Sequence, residues 1–183
     1  MANHSSEFDP VLVPISLPFL SRFLPMFYTS RGKGFYVRSG WRQIFYGGLL
    51  FKLLGSHSVD SGHQDYNVSL SRHIYILERK HSLLVFPEGR TTRDGNIMIN
   101  EAHGGSAFLM EKTGLPAVPV LMQGVFKMTP KDFFLRRRRV TIFFGKPVYA
   151  DEIFEGLPLD SARYKTASRR LLEKVAELRQ GGV

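Results

Sequence analysis

Apolar residues recur along this chain at two periods, and the switching between them lays out the predicted elements. Ser82-Leu83-Leu84-Val85-Phe86 is a short continuous apolar run, as in a buried strand. Met26-Phe27-Tyr28-Thr29 and the stretches near His57 to Val59, Ala117 to Met122 and Val140 to Phe144 read the same way. Between them the spacing lengthens to that of helices. One helix, from about Trp41 to Leu54, stops at Gly55. Asp65 caps another that runs to about Lys80, with Val68, Ile74 and Leu77 on its inner face. Gly105 to Thr113 forms a third, ended by Gly114. A last helix spans about Ser161 to Arg179, with Tyr164, Ala167, Leu171, Val175 and Leu178 at helical spacing. This alternation predicts an α/β fold, a mostly parallel or mixed sheet flanked by helices. No repeat, linker or low-complexity tract divides the chain, so residues 1–183 are read as one domain.

Val11 to Tyr28 is the most apolar stretch, but Pro14, Pro18, Pro25 and Arg22 interrupt it. A membrane-spanning helix needs about 20 mostly apolar residues, so this segment is a poor candidate. Short helical pieces lying on a bilayer surface fit it better, and burial in the core is the competing view. Trp41, Phe45, Tyr46 and Phe51 are expected to pack the core.

Chemistry concentrates in two blocks. Asn3-His4-Ser5-Ser6-Glu7-Phe8-Asp9 sets a histidine five residues ahead of an aspartate. An alcohol is a poor nucleophile near pH 7, so a neutral imidazole must take its proton as it attacks. A carboxylate on the far ring nitrogen fixes the tautomer and stabilises the imidazolium. On one continuous helix, positions five apart lie about 140° apart. The two can meet only if His4 precedes the helix and Asp9 lies in its first turn. Ser6-Glu7-Phe8-Asp9 reads as a capping pattern that allows this. The same pattern also suits a capping carboxylate without chemistry.

In the second block, Phe86-Pro87-Glu88-Gly89-Arg90-Thr91-Thr92, Pro87 ends an apolar run and Gly89 permits a sharp turn whose N–H groups can face an anion. Arg90 and Arg93 offer forked donors suited to phosphate, Thr91 and Thr92 neutral ones. Glu88 either holds these donors in place or bonds a substrate hydroxyl. An ordinary strand-to-loop turn with solvated arginines is the competing reading.

Composition narrows the setting. With 183 residues, 43% hydrophobic, the chain can bury one substantial core, and without cysteine it has neither disulfides nor thiolate chemistry. Its polar start lacks the pattern of a secretory signal. A net charge of +9 implies an anionic partner. Phe133-Phe134-Leu135 followed by Arg136 to Arg139 suits a membrane interface, and a solvated loop suits it equally. No nucleic-acid motif accompanies the charge, so no nucleic acid is expected. His57, Asp60 and His63 match no recognised metal spacing, and no Gly-x-Ser-x-Gly elbow is present.

The two blocks, with Leu115-Pro116-Ala117-Val118-Pro119-Val120 as a third, resemble the glycerolipid acyltransferases, the 1-acylglycerol-3-phosphate acyltransferase family. The resemblance covers essentially the whole chain. Asn3-His4 and Asp9 match its Asn-His-x4-Asp signature, which implies His4 as general base and Asp9 as its orienting partner. Leu54 to Asp60 lies where the second family block lies. Phe86-Pro87-Glu88-Gly89 matches the acceptor-binding block, which places Glu88, Gly89, Arg90, Thr91 and Arg93 in the substrate site. Val118-Pro119-Val120 matches the block that shapes the acyl-donor side. The resemblance implies a glycerol-3-phosphate acyltransferase-like fold and direct transfer of an acyl group from acyl-CoA or acyl-carrier protein to lysophosphatidic acid. It implies no covalent acyl-enzyme, no metal and no bound cofactor. The expected partners are an anionic membrane surface, the lysophospholipid acceptor and the acyl donor, at the cytoplasmic face of a membrane as a peripheral protein.

Four departures qualify this resemblance. Ser61 stands where an arginine usually meets the acceptor phosphate. Arg90 and Thr91 appear in swapped order. Ala102-His103-Gly104-Gly105 carries a histidine where lysine is usual. The first block starts at residue 3, so the strand usual ahead of it is expected to be lacking here, whether because the chain is a fragment, because its start is assigned too far downstream, or because the fold has lost the element. These departures keep two alternatives open: acylation of another lysophospholipid or a non-lipid acceptor, and a catalytically silent, basic membrane-binding protein.

Overall fold

A computed structural model describes residues 1–30, 55–59 and 65–179. The basic loop Arg31 to Gly34, the helix predicted from Trp41 to Leu54, and Ser61 lie outside the described residues. So do Asp60 and His63.

The chain begins with α1 (Asp9–Ile15), followed by β1 (Met26–Ser30) and β2 (Ser56–Ser58). Two short helices, α2 (Tyr66–Ser69) and α3 (Ser71–Glu78), lead into β3 (Ser82–Leu84). A single 3-10 turn (Ile99–Glu101) precedes α4 (Gly105–Thr113) and β4 (Val120–Gln123). Then come α5 (Pro130–Phe134), β5 (Thr141–Phe144), α6 (Ala150–Phe154) and α7 (Arg163–Glu177).

β1 is the middle strand of a parallel sheet in the order β2-β1-β3, with Tyr28 opposite both Ser56 and Leu84. β4 and β5 form an antiparallel pair, so the sheet character is mixed. Met1 and Ala2 join the two. The Ala2 N–H donates to the Val85 carbonyl at 3.1 Å, and the Val120 N–H donates to the Met1 carbonyl at 2.8 Å. Ala2 thus bridges to Val120 in parallel sense. These bonds pair the Val85 carbonyl and the Val120 N–H, so Met1 and Ala2 link the end of the β3 run to β4.

Period-two alternation sorts the strand residues. Tyr28, Leu84, Val120 and Met122 face Leu12 and Val13 of α1, whereas Leu121 points the other way, to Leu171, Leu172 and Val175 of α7. Leu83 and Val85 pack with Leu70, Ile74, Phe108 and Leu109 beneath α3 and α4. Along α7 the predicted stripe is the buried one: Ala167, Leu171 and Val175 are fully buried, and Tyr164 and Leu178 pack at its ends. The helix predicted from Asp65 breaks at Leu70 into α2 and α3. That break rotates the first turn relative to the second, and Val68, expected inside, is about half exposed. His73 takes an inner position instead, fully buried, and its Nε2 lies 3.2 Å from the His57 carbonyl. Gly114 ends α4 in the left-handed region at φ 67°, and Asp65 accepts from the Asn67 N–H at 2.8 Å, as their positions predict.

Candidate active site

The loop from Asn3 to Phe8 carries the histidine, and three sets of bonds fix it. The Asn3 side chain reaches β4, where its Oδ1 accepts from the Met122 N–H at 2.8 Å and its Nδ2 donates to the Met122 carbonyl at 3.1 Å. The amide thereby imitates a backbone pairing and continues the bridge made by Ala2. The Thr92 N–H donates to the His4 carbonyl at 2.9 Å, tying the loop to the turn after β3. The third set converges on Asp9. Its Oδ2 accepts from the Ser5 N–H at 2.6 Å, the Ser6 N–H at 2.9 Å and His4 Nδ1 at 2.9 Å.

Asp9 lies in the first turn of α1 and His4 before it, which is how residues five apart come to meet. The capping detail differs from expectation. Phe8 occupies the N-cap position, and the Ser6 hydroxyl accepts from the Phe8 N–H at 3.1 Å rather than capping the helix. The carboxylate of Asp9 folds back over the loop because the loop N–H groups are its nearest donors. Asp9 is fully buried, while the His4 side chain keeps 19% exposure and stacks on Phe86 at 4.4 Å. A carboxylate only accepts, so Nδ1 carries the hydrogen and Nε2 holds the free lone pair. That is the nitrogen a general base uses.

The turn after β3 sits beside this pair. Gly89 has φ 67°, and a Cβ there would come within 2.6 Å of the His103 ring, so the imidazole lies directly over the turn. The His103 N–H donates to the Pro87 carbonyl at 2.8 Å. Glu88 points inward and is 1% exposed. Burial pushes its carboxyl up to about 8. The backbone amides of His4 and Met98 favour its ionised form without reaching hydrogen-bond geometry, and the charges of Asp9 and Glu101 oppose it. At neutral pH Glu88 is therefore mostly a neutral group packed under the His4 loop. The sequence allows it two roles, holding the donors of this block in place or bonding a substrate hydroxyl; among the described residues its two buried oxygens bond none of those donors.

Arg90 does not stand open. Its guanidinium makes a two-pronged ion pair with Glu101, Nε to Oε2 at 2.7 Å and Nη2 to Oε1. Arg93 is exposed, and Thr91 is half-buried beside the turn. Thr92 is the anchor of the block: besides tying His4, its hydroxyl donates to Asp94 Oδ1 at 2.8 Å and accepts from the Gly95 N–H. Bonds from the Asn96 N–H and side-chain amide hold the Asp94 carboxyl down at about 2, with Thr92 adding to them. The sequence places His4 and Asp9 together and sets Glu88 to Thr92 beside them. It gives no role to Asn3 as a clamp or to Glu101. Asn3 lies inside the first block, but its partner Met122 is 119 residues away. Ser61, and with it the second family block's closing position, lies outside the described residues.

The family model described as Acyltransferase matches residues 1–123, two thirds of the chain, and so includes every residue of the site. A curated relative, 1-acyl-sn-glycerol-3-phosphate acyltransferase BAT2, chloroplastic, of Brassica napus, is 30% identical over 100 residues, 54% of this chain. The match spans 28% of that relative's own length. The matched region covers more than half of the chain and holds the His4–Asp9 loop tied to the Pro-Glu-Gly turn: the chain belongs to the acyltransferase family, a family of acyl-transferring enzymes.

Proposed function

We propose that this protein transfers a fatty acyl group from acyl-CoA or acyl-carrier protein to the free hydroxyl of 1-acylglycerol-3-phosphate, giving phosphatidic acid. The observation that carries the reading is the three-donor seat of Asp9 Oδ2, which fixes the His4 tautomer beside the Glu88-Gly89 turn. His4 Nε2 takes the acceptor's proton as its oxygen bonds to the thioester carbonyl carbon. The C–S bond then breaks, and the imidazolium returns the proton to the departing thiolate. The acceptor is drawn from the printed name of the Brassica napus relative and from the basic residues around the turn. The pairing of Arg90 with Glu101 favours a second reading, an acceptor without a phosphate.

A panel of acceptors with labelled acyl-CoA tests both. Lysophosphatidic acid is expected to turn over fastest, and His4→Ala to lose at least ~10²-fold of that rate, the scale of a missing general base. Full turnover in His4→Ala rules out the mechanism. Faster turnover of monoacylglycerol selects the second reading.

The same proposal includes peripheral binding to an anionic bilayer. Among the described residues no helix is long and apolar enough to cross a membrane. Phe19 and Leu20, just past α1, are over nine-tenths exposed, and Phe134 and Leu135 of the α5 region are also exposed. Stacking of Phe8 on Phe133 at 4.9 Å sets α5 against the start of α1, next to the catalytic loop. The exposed Arg136 to Arg139 follow directly. Apolar side chains beside guanidiniums suit insertion among anionic headgroups, with each basic residue contributing about 1 kcal/mol. Liposome sedimentation should therefore show binding that rises with anionic lipid, weakens with salt, and falls when Arg136 to Arg139 are changed to glutamine. Equal binding to neutral liposomes at every salt concentration excludes this electrostatic account.

A further inference from the structure

The geometry points to Glu101 as a built-in competitor for the acceptor's anionic group: its carboxylate occupies the seat on Arg90 that this group takes when the acceptor binds. The inference rests on the reading of a phosphorylated acceptor given above.

A guanidinium presents the same planar fork to a carboxylate as to a phosphate. The Arg90 fork is filled from within the chain by a residue eleven positions later, at the end of the 3-10 turn. Glu101 is also the focus of a wider basic cluster. Bonding to Arg90 holds its carboxyl below the usual range, and the charges of Arg90, Arg93 and His103 add to that. Three basic side chains around one carboxylate form a site that a phosphate, with more charge and three acceptor oxygens, fits at least as well. The cluster lies next to the chemistry. His103 rests on Gly89, and Gly89 joins Arg90 to Glu88, which packs beneath the His4 loop.

The pair is built to open. Arg90 and Glu101 are 35% and 46% exposed, and an ion pair this wet contributes only about two- to fivefold to an equilibrium. A buried carboxylate would block the seat, whereas an exposed one only competes for it. The competition therefore tempers the preference for a charged acceptor, which must displace Glu101 to reach Arg90. A ligand bringing a charged group recovers the contact that Glu101 gives up, and an uncharged acceptor leaves the pair closed.

The test is Glu101→Gln, alone and combined with Arg90→Ala. Two quantities are measured: kcat/KM for lysophosphatidic acid relative to monoacylglycerol, and the affinity for inorganic phosphate by calorimetry. The ratio is expected to rise about two- to fivefold in Glu101→Gln, and phosphate to bind tighter by a similar factor. Both gains should vanish in the Arg90→Ala background. If Glu101→Gln leaves the ratio unchanged or lowers it while Arg90→Ala also lowers it, Glu101 merely orients Arg90; the inference is then wrong and the phosphorylated-acceptor reading stands. If Arg90→Ala leaves the ratio unchanged, the acceptor reading fails and the inference with it. Unfolding midpoints of each variant, and Glu101→Ala as a second removal of the charge, separate these outcomes from misfolding.

Discussion

Glu88→Gln isolates the energetic consequence of burying a carboxyl under the His4 loop. In the folded chain this carboxyl is pushed up to about 8 from an ordinary 4.5, with burial as the main cause. A raised acid means that, between these two values, the folded state binds more protons than the unfolded state. The stability contributed by the neutral carboxyl is therefore fully present below about pH 4.5, declines as pH rises, and is lost above about pH 8. At about 1.4 kcal/mol per pH unit, the shift corresponds to roughly 4–5 kcal/mol as an order of magnitude. Glutamine keeps the shape of the neutral acid and does not titrate. Its amide hydrogens lack partners, a pH-independent penalty of about 1–3 kcal/mol. Urea unfolding of both proteins at pH 5, 6, 7 and 8 gives the difference directly, and other titrating groups cancel between them. The wild type should lose about 1.4 kcal/mol per pH unit relative to Glu88→Gln across the middle of this range, so the variant overtakes it at high pH. Parallel stability curves from pH 5 to 8 would refute the neutral Glu88.

Asp9→Asn replaces one acceptor of three hydrogen bonds with a group that is weaker as an acceptor and can present its NH2 to the Ser5 and Ser6 donors. Loss of about 1–3 kcal/mol of stability in urea unfolding is expected, together with a drop in acyl-transfer turnover as the His4 tautomer is released. Gly89→Ala should destabilise by at least ~1–2 kcal/mol, since its φ of 67° is left-handed and its Cβ meets His103 at 2.6 Å. Gly114→Ala, with the same φ and nothing within 4 Å of the new Cβ, measures the backbone part alone, and equal losses at the two sites would deny any role to the His103 contact.

What can be read from the chain and what cannot divide along the range of the interactions. Local patterns carry the elements: the stripe from Ala167 to Val175, the stop at Gly114, the cap at Asp65 and the apolar run of β3 each depend on neighbours within a turn or a strand. The T-P-x-D pattern at Thr129 to Asp132 is equally local, a capping box with proline in the first turn of α5, but the run of arginines just beyond it suits a loop as well. Val68 departs from its expected place because periodicity assumes one continuous helix, whereas the chain breaks at Leu70, which packs with Phe108 and Leu109 of α4, without a glycine or proline to announce it.

At the site the division is the same. The meeting of His4 with Asp9 is legible, because a loop before a helix and a carboxylate in its first turn permit only a few geometries. The clamp of Asn3 on Met122, the neutral state of Glu88 and the capture of Arg90 by Glu101 are not. Sequence by itself determined which groups can donate, accept or titrate, and the short-range turns that hold them. Tertiary structure decided which of them bind one another, because burial and contact between distant segments set protonation and pairing, and no local pattern records either.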